Sequence, residues 1–193
     1  MVINTRIVSL YILYLLPISL ITGPAIPDIS ITIIGILFIF HVYFKKDYFF
    51  INEFWVKASI FFWLTLIILS FFSNNIIQSF IESLIFIRYI ILIIAINFWI
   101  IETKKELEKI YLIIFFSIIF IVLDCLYQFN GYTSATGFGE DIFGFVSTHY
   151  GRLTGPFNEQ VPGAHLSRFV FIPLLLFYYK FKNLVKYKII LFV

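Results

Sequence analysis

Residues 110–129 read IYLIIFFSIIFIVLDCLYQF, twenty residues with a single charged side chain, Asp124. The hydrocarbon layer of a bilayer is about 30 Å thick, and a helix needs about 20 mainly apolar residues to cross it. The stretch therefore predicts a transmembrane helix. A membrane protein keeps an ionisable group such as Asp124 at this depth only where the group is paired, solvated or functional.

The whole chain of 193 residues has the same character, with 61% hydrophobic and 13% charged residues. Soluble domains carry about a quarter charged residues, so the composition predicts an integral membrane protein of the all-α class. The net charge of +3 is small and dispersed, which argues against a nucleic-acid partner. The single cysteine, Cys125, excludes an intrachain disulfide. No metal-ligand spacing or phosphate-loop motif is present, so we expect no metal and no cofactor.

Apolar stretches elsewhere in the chain predict a polytopic protein with six complete spans. The six are 7–26, 29–44, 58–72, 82–101, 110–129 and 161–181. A seventh stretch starts at Ile189, so we expect residues 1–193 to be one transmembrane helical domain, the amino-terminal half of a longer protein. The long polar segment 130–160 is rich in glycine and aromatic residues, and loops of this length are usually functional or mobile.

The lysines predict the orientation of the spans. They follow the second, fourth and sixth spans, whereas the connections 23–28, 73–75 and 130–160 contain none. The lysines in question are Lys45, Lys46, Lys104, Lys105, Lys109, Lys180, Lys182, Lys186 and Lys188. Because cytoplasmic loops carry an excess of basic residues, this pattern predicts a cytoplasmic amino terminus and an outer loop at 130–160.

Three charged residues are predicted to lie at one depth near the outer surface. With a helix rise of 1.5 Å per residue, Arg88 lies about 9 Å, Asp124 about 8 Å and Arg168 about 10 Å below that surface. An unpaired charge there is costly, so we expect Asp124 beside Arg88 or Arg168. A structural ion pair between neighbouring helices would explain Arg88 and Asp124 without any function.

Further polar residues, Arg152, Glu159 and His165, are expected on the same outer side. Gathered arginines form a forked, permanently charged site for an oxyanion such as phosphate or pyrophosphate. The alternatives are that Arg152 is an ordinary interfacial loop residue and that Arg168 extends its charged end to the interface. His165 would share a helix face with Arg168 if the sixth span starts near Pro162, or be an interfacial residue with no further role.

From Asp124 onward, DCLYQFNGYTSATGFGEDIFGF and then GRLTGPFNEQVPGAHLSRF resemble the central region of the O-antigen ligase and polymerase superfamily. The shared features are Asp-x-x-x-Gln near the outer end of a span, a Gly-Phe pair, and Arg-x-[ST]-G-x-F. Here these are Asp124, Gln128, Gly144, Phe145, Arg152, Thr154, Gly155 and Phe157. The resemblance covers about 45 residues. Many members continue with Asn-Pro-Asn where this chain has Asn158-Glu159-Gln160, which leaves both ligase and polymerase open.

The resemblance implies a metal-independent glycosyltransferase with about a dozen transmembrane helices, acting at the periplasmic face of the bacterial inner membrane. It would transfer glycan from undecaprenyl pyrophosphate to the lipid A core in lipopolysaccharide biosynthesis, or to another lipid-linked repeat. The residues that would bind the pyrophosphate are Arg152, Arg168 and Arg88, supported by Asp124 and Glu159. In ligases the catalytic base is a histidine in a later outer loop, so the catalytic group is unassigned here, with His165 as the candidate within this chain.

Two other classes of protein are also compatible with the sequence. A transporter or channel subunit would equally carry charges within its spans, but paired discontinuous helices in two similar halves would favour it, and no such symmetry is visible. A membrane fragment without activity of its own is the other alternative.

Overall fold

The structure, a computed structural model, describes residues 4–21, 23, 25–133, 137–147, 151–157, 162–169, 171–172 and 174–175. Within these ranges the regular elements are helices. Two isolated β-bridges also occur, between Thr133 and Gly137 and between Glu140 and Val146. The α-helices are α1 (Thr5–Ser19), α2 (Ala25–Lys45), α3 (Phe54–Ser70), α4 (Ile76–Ile85), α5 (Ile87–Ala95), α6 (Lys104–Asn130) and α7 (Pro162–Phe169). The 3-10 helices are Phe49–Asn52 and Gly155–Phe157, and Ile96–Ile100 is a π-helix. The predicted all-α class is confirmed for this part of the chain.

Three helices are long and apolar enough to cross a membrane: α2, the continuous helix Ile76–Ile100 that contains α4 and α5, and α6. Two further apolar helices, α1 and α3, are shorter. Only 28%, 17% and 22% of the apolar windows of the three long helices are buried. Exposing so much apolar surface to water is unfavourable by about 25 cal/mol per Å². These helices therefore indicate a membrane protein, with lipid covering the exposed faces.

Each of the six predicted spans contains a helix, but the helix ends differ from the prediction. The fourth helix begins at Ile76, six residues before Glu82, where the sequence predicts the start of the span. Glu82 is exposed, and its carboxylate accepts a hydrogen bond from Gln78 Nε2 one turn earlier. The charged side chain is therefore compatible with a helix that begins before it. Arg88 consequently lies about 18 Å from the start of its helix, whereas the predicted depth of about 9 Å is counted from Glu82. For the sixth span α7 begins at Pro162, and the kink expected at Pro173 lies outside the described residues.

Contacts divide the chain into two compact units, the first of which contains Pro27–Thr103 and the residues up to Leu13. In α2 the buried residues Ile31, Ile34 and Phe38 recur at three- and four-residue spacing, which places them on one helix face. The helix α3 packs against Ile76–Ile100, where Trp63 Nε1 donates to Ser83 O at 2.8 Å. Small and polar residues at such contacts stabilise helix association in lipid.

The second unit consists of Tyr14–Ile26 and the residues from Lys104 onward. Its central helix is α6, against which α7 and the turn Gly155–Phe157 pack. The buried face of α6 changes character along its length. It is apolar in the first part and polar near the carboxyl end, in the order Ile110, Ile114, Ile121, Asp124 and Gln128. The polar end of this face forms the candidate site.

Candidate functional site

Two side chains near the end of α6, Asp124 and Gln128, are polar and have no solvent exposure, 0% each. They are four residues apart, so they lie on the same helix face. Burying polar groups without partners is costly, and both side chains make hydrogen bonds to residues of the loop that follows the helix. These hydrogen bonds therefore hold the loop against α6.

Gln128 binds the segment that contains Arg152. Its Oε1 accepts hydrogen bonds from the backbone N–H groups of Thr154 and Gly155, at 3.0 Å each. Its Nε2 donates to Thr154 Oγ1 at 3.3 Å, and its main-chain carbonyl accepts from Gly139 N at 3.1 Å. One side chain thus makes three hydrogen bonds to a turn that is 26 residues further along the chain.

Asp124 binds the middle of the loop. Its Oδ1 accepts the backbone N–H of Ile142 at 2.8 Å. Asp141, which is also buried, accepts the N–H groups of Phe143 at 2.9 Å and Phe145 at 2.7 Å through its own Oδ1. Among the described residues, Oδ2 of each carboxylate is buried without a hydrogen-bond partner. Burying a carboxylate without a counter-charge is costly, so a basic partner is expected near Asp124 and Asp141.

Gly155 allows the turn to approach α6 closely. Its φ of +51° lies in the left-handed region, which side chains disfavour. A Cβ at this position would lie 2.8 Å from Cys125 Sγ and 3.8 Å from Asp124 Oδ2. The close contact requires glycine on steric grounds, in addition to the backbone conformation.

Of the predicted phosphate-binding residues in this unit, Arg152 is exposed and lies two residues before the buried Thr154. The backbones of His165 and Arg168 belong to α7, but their side chains lie outside the described part of the structure. Glu159 also lies outside it. The predicted pairing of Asp124 with Arg168 therefore stays a prediction.

Arg88, in the first unit, forms an ion pair with Asp28, with Nη2 and Oδ1 at 2.9 Å. The same Nη2 donates to Tyr89 Oη at 2.9 Å, and the guanidinium carbon lies 4.9 Å from the centre of the Tyr89 ring. We had assigned Asp28 to a connection, but α2 begins at Ala25 and places it in the first turn. Acidic residues are favoured at that end of a helix, and this is the signal that could have identified it. The pairing predicted for Asp124 now depends on Arg168.

Neutralising Asp28 or Arg88 should destabilise the protein to a similar extent. We expect Asp28→Asn and Arg88→Gln each to reduce stability by about 0.2–1 kcal/mol, the usual range for a partly exposed ion pair. The double variant should lose little more than either single variant, because the two residues act as a pair. Thermal unfolding in detergent measures this, with Glu82→Gln as the matched control. Additive losses would contradict the pairing.

The chain is thus a helical membrane protein in which Asp124 and Gln128, near the end of α6, bind the following loop through hydrogen bonds. No protein-family model, curated protein or solved structure matches the chain. Within the described residues, no three histidine, cysteine, aspartate or glutamate side chains are grouped to hold a metal ion.

Proposed function

We propose that this chain is part of a membrane glycosyltransferase of the O-antigen ligase or polymerase type. Such an enzyme would transfer or polymerise undecaprenyl-pyrophosphate-linked glycan at the periplasmic face of the bacterial inner membrane. One observation supports the proposal most strongly. The residues that carry the resemblance come together at the end of α6. There Gln128 binds Thr154 and Gly155, and Asp124 binds the loop segment Glu140–Val146, which contains Gly144 and Phe145.

The proposal includes the six-span topology with a cytoplasmic amino terminus. Three long apolar helices, two shorter ones and α7 correspond to the six predicted stretches. The lysine-containing connections would face the cytoplasm, and the carboxyl end of α6 at Asn130 would reach the periplasmic side. The cluster of Asp124 and Gln128 would then lie about 3–9 Å along α6 from its outer end, at the depth where a lipid headgroup meets the acyl chains.

Arg152 and Arg168 would bind the pyrophosphate of the lipid-linked glycan. Gln128 binds the backbone of Thr154, two residues after Arg152. The backbone of Arg152 is therefore positioned before substrate arrives. Negative charge develops on the pyrophosphate as it leaves, and fixed guanidinium groups stabilise that charge in the transition state. Arg168 would in addition neutralise the buried carboxylates of Asp124 and Asp141.

The other predicted residues have supporting places in the proposal. A phosphate at Arg88 would compete with the Asp28 carboxylate, so we assign the pyrophosphate contacts first to Arg152 and Arg168. Glu159 would support the same outer site, and His165 is the candidate base within this chain. No metal is needed, and the acceptor would be the lipid A core or a second lipid-linked glycan.

Arg152→Lys tests the proposal, because lysine keeps the charge but loses the planar fork that binds two phosphate oxygens at once. Loss of a charge-assisted hydrogen bond worth about 1.5–3 kcal/mol should lower the rate at least tenfold. The measurement is the amount of surface glycan made by cells that carry the full-length gene, at equal levels of the protein in the membrane. Glu140→Gln, an exposed change in the same loop, is the matched control and should have no effect. Wild-type glycan from both Arg152→Lys and Arg168→Lys would contradict the proposal.

A further inference from the structure

The segment Glu140–Val146 closes on itself as a tight hairpin. Glu140 and Val146 form an antiparallel bridge, and Asp141 N donates to Phe145 O at 2.9 Å. Gly144 makes the turn with a φ of +84°, and its N–H donates to Asp141 O at 3.0 Å. The hairpin is therefore a defined element within the longer loop.

Every backbone N–H from Asp141 to Phe145 has an acceptor inside the protein. Those of Asp141 and Gly144 bond within the hairpin backbone, those of Phe143 and Phe145 bond to the Asp141 carboxylate, and that of Ile142 bonds to Asp124. Such a segment does not need water to satisfy these donors. This matters because non-helical backbone is tolerated at membrane depth only where it is packed in protein or faces water, and here these donors are bonded to the protein itself.

The hairpin runs back along α6 instead of projecting away from the helix end. Its contact at Asp124 is six residues before Asn130, which is about 9 Å along the helix. The ring of Phe143 packs against that of Phe120, with 6.1 Å between the centroids. Phe120 is ten residues before the helix end, or about 15 Å along the axis. The tip of the hairpin thus lies beside the apolar body of a helix that is long enough to cross a membrane.

The side chains that the hairpin exposes are apolar. Four of them, within five consecutive residues, are about half exposed: Ile142 54%, Phe143 59%, Phe145 49% and Val146 50%. The part of α6 at the same level exposes further apolar side chains, Leu123 and Leu126. Apolar side chains next to a lipid-facing helix are stable in hydrocarbon and unfavourable in water.

We infer that the hairpin Glu140–Val146 packs on α6 and places its exposed apolar side chains, those of Ile142, Phe143, Phe145 and Val146, among the lipid acyl chains of the leaflet at the carboxyl end of α6. Its occupant is the bilayer itself. The inference depends on α6 crossing the membrane and is independent of the glycosyltransferase proposal.

Spin labels at single cysteines in the full chain, reconstituted in phosphatidylcholine liposomes, test the inference. In a Cys125→Ala background, labels at Phe143→Cys and Phe145→Cys are compared with Leu123→Cys on the exposed face of α6 and with Lys105→Cys at its polar start. Collision rates with oxygen, which concentrates in hydrocarbon, and with a water-soluble nickel chelate report the surroundings of each label. The ratio of oxygen to nickel collisions at both hairpin positions should match that at Leu123→Cys and exceed that at Lys105→Cys severalfold.

Two results would overturn the inference. Nickel collisions as frequent as at Lys105→Cys would place the hairpin in water, and labels that neither reagent reaches would place it against protein, such as a second copy of this chain. Labels at Ile142→Cys and Val146→Cys repeat the measurement at positions of similar exposure, in case either phenylalanine is needed for folding.

Discussion

Replacing Gln128 with leucine is expected to detach the turn at Thr154 and Gly155 from α6 and to destabilise the protein strongly. Leucine has a similar volume but offers no acceptor, so two buried N–H groups lose their partner. Leaving a buried donor unsatisfied costs about 1–3 kcal/mol, and here two are affected. Under the proposed function the variant should also reduce glycan transfer, because the backbone next to Arg152 would no longer be held in place.

Thermal unfolding in detergent measures the loss of stability. The matched control is Leu126→Ala on the same helix, where an exposed side chain is shortened and surface changes usually stay within about 0.5 kcal/mol. Thr154→Val, which removes only the hydroxyl that bonds to Gln128 Nε2, should have a smaller effect than Gln128→Leu. A melting temperature of Gln128→Leu equal to that of the control would show that the turn is not held by this side chain.

Gly155→Ala is expected to be more damaging than the same change at Gly144 or Gly151, two loop glycines that also have a positive φ but have open space at the Cβ position. The methyl group would lie 2.8 Å from Cys125 Sγ, so the turn or the cysteine must move, and overpacking of this kind costs about 1–3 kcal/mol. The left-handed backbone at Gly155 adds about 1–2 kcal/mol of strain for any other residue.

Gly144→Ala separates the two contributions, since Gly144 also has a positive φ but nothing lies within 4 Å of its Cβ position. It should report the backbone strain alone and be less destabilising than Gly155→Ala. In the double variant Cys125→Ala/Gly155→Ala the crowding atom is removed, so stability should recover towards that of Gly144→Ala. A double variant no more stable than the sum of the two single changes would show that Cys125 and Gly155 are not in contact.

Together these two predictions concern the same structural link, between a helix end and a loop that returns to it. Gln128 supplies the hydrogen bonds of this link, and Gly155 supplies the space. If both substitutions act as expected, the Asp-x-x-x-Gln and Arg-x-Thr-Gly-x-Phe patterns of this chain are explained as two halves of one contact. The same contact then fixes the position of the backbone that carries the exposed Arg152.

The sequence was sufficient to predict where helices form and to single out Asp124 and Gln128, whereas it gave no sign that Asp141 is buried beside the same helix end. Length and hydrophobicity of a run are local properties, so the run at 110–129 predicts its helix without knowledge of the rest of the chain. The four-residue spacing of Asp124 and Gln128 likewise places them on one face. Helix ends were less well predicted. The charge of Glu82 predicts the start of the fourth helix at that residue. An exposed carboxylate that accepts a hydrogen bond from its own helix is, however, compatible with a helix that begins earlier.

Only the tertiary structure decided what the polar side chains bind. The partner of Arg88 proved to be Asp28, 60 residues earlier, and Gln128 binds a turn 26 residues later. The hairpin Glu140–Val146 could not be recognised from its composition, because its apolar tip and its polar Asp141 make sense only once the chain has turned back onto α6. Hydrophobic periodicity specifies which face of a helix is buried, whereas the hydrogen bonds of a returning loop depend on where the chain closes in space.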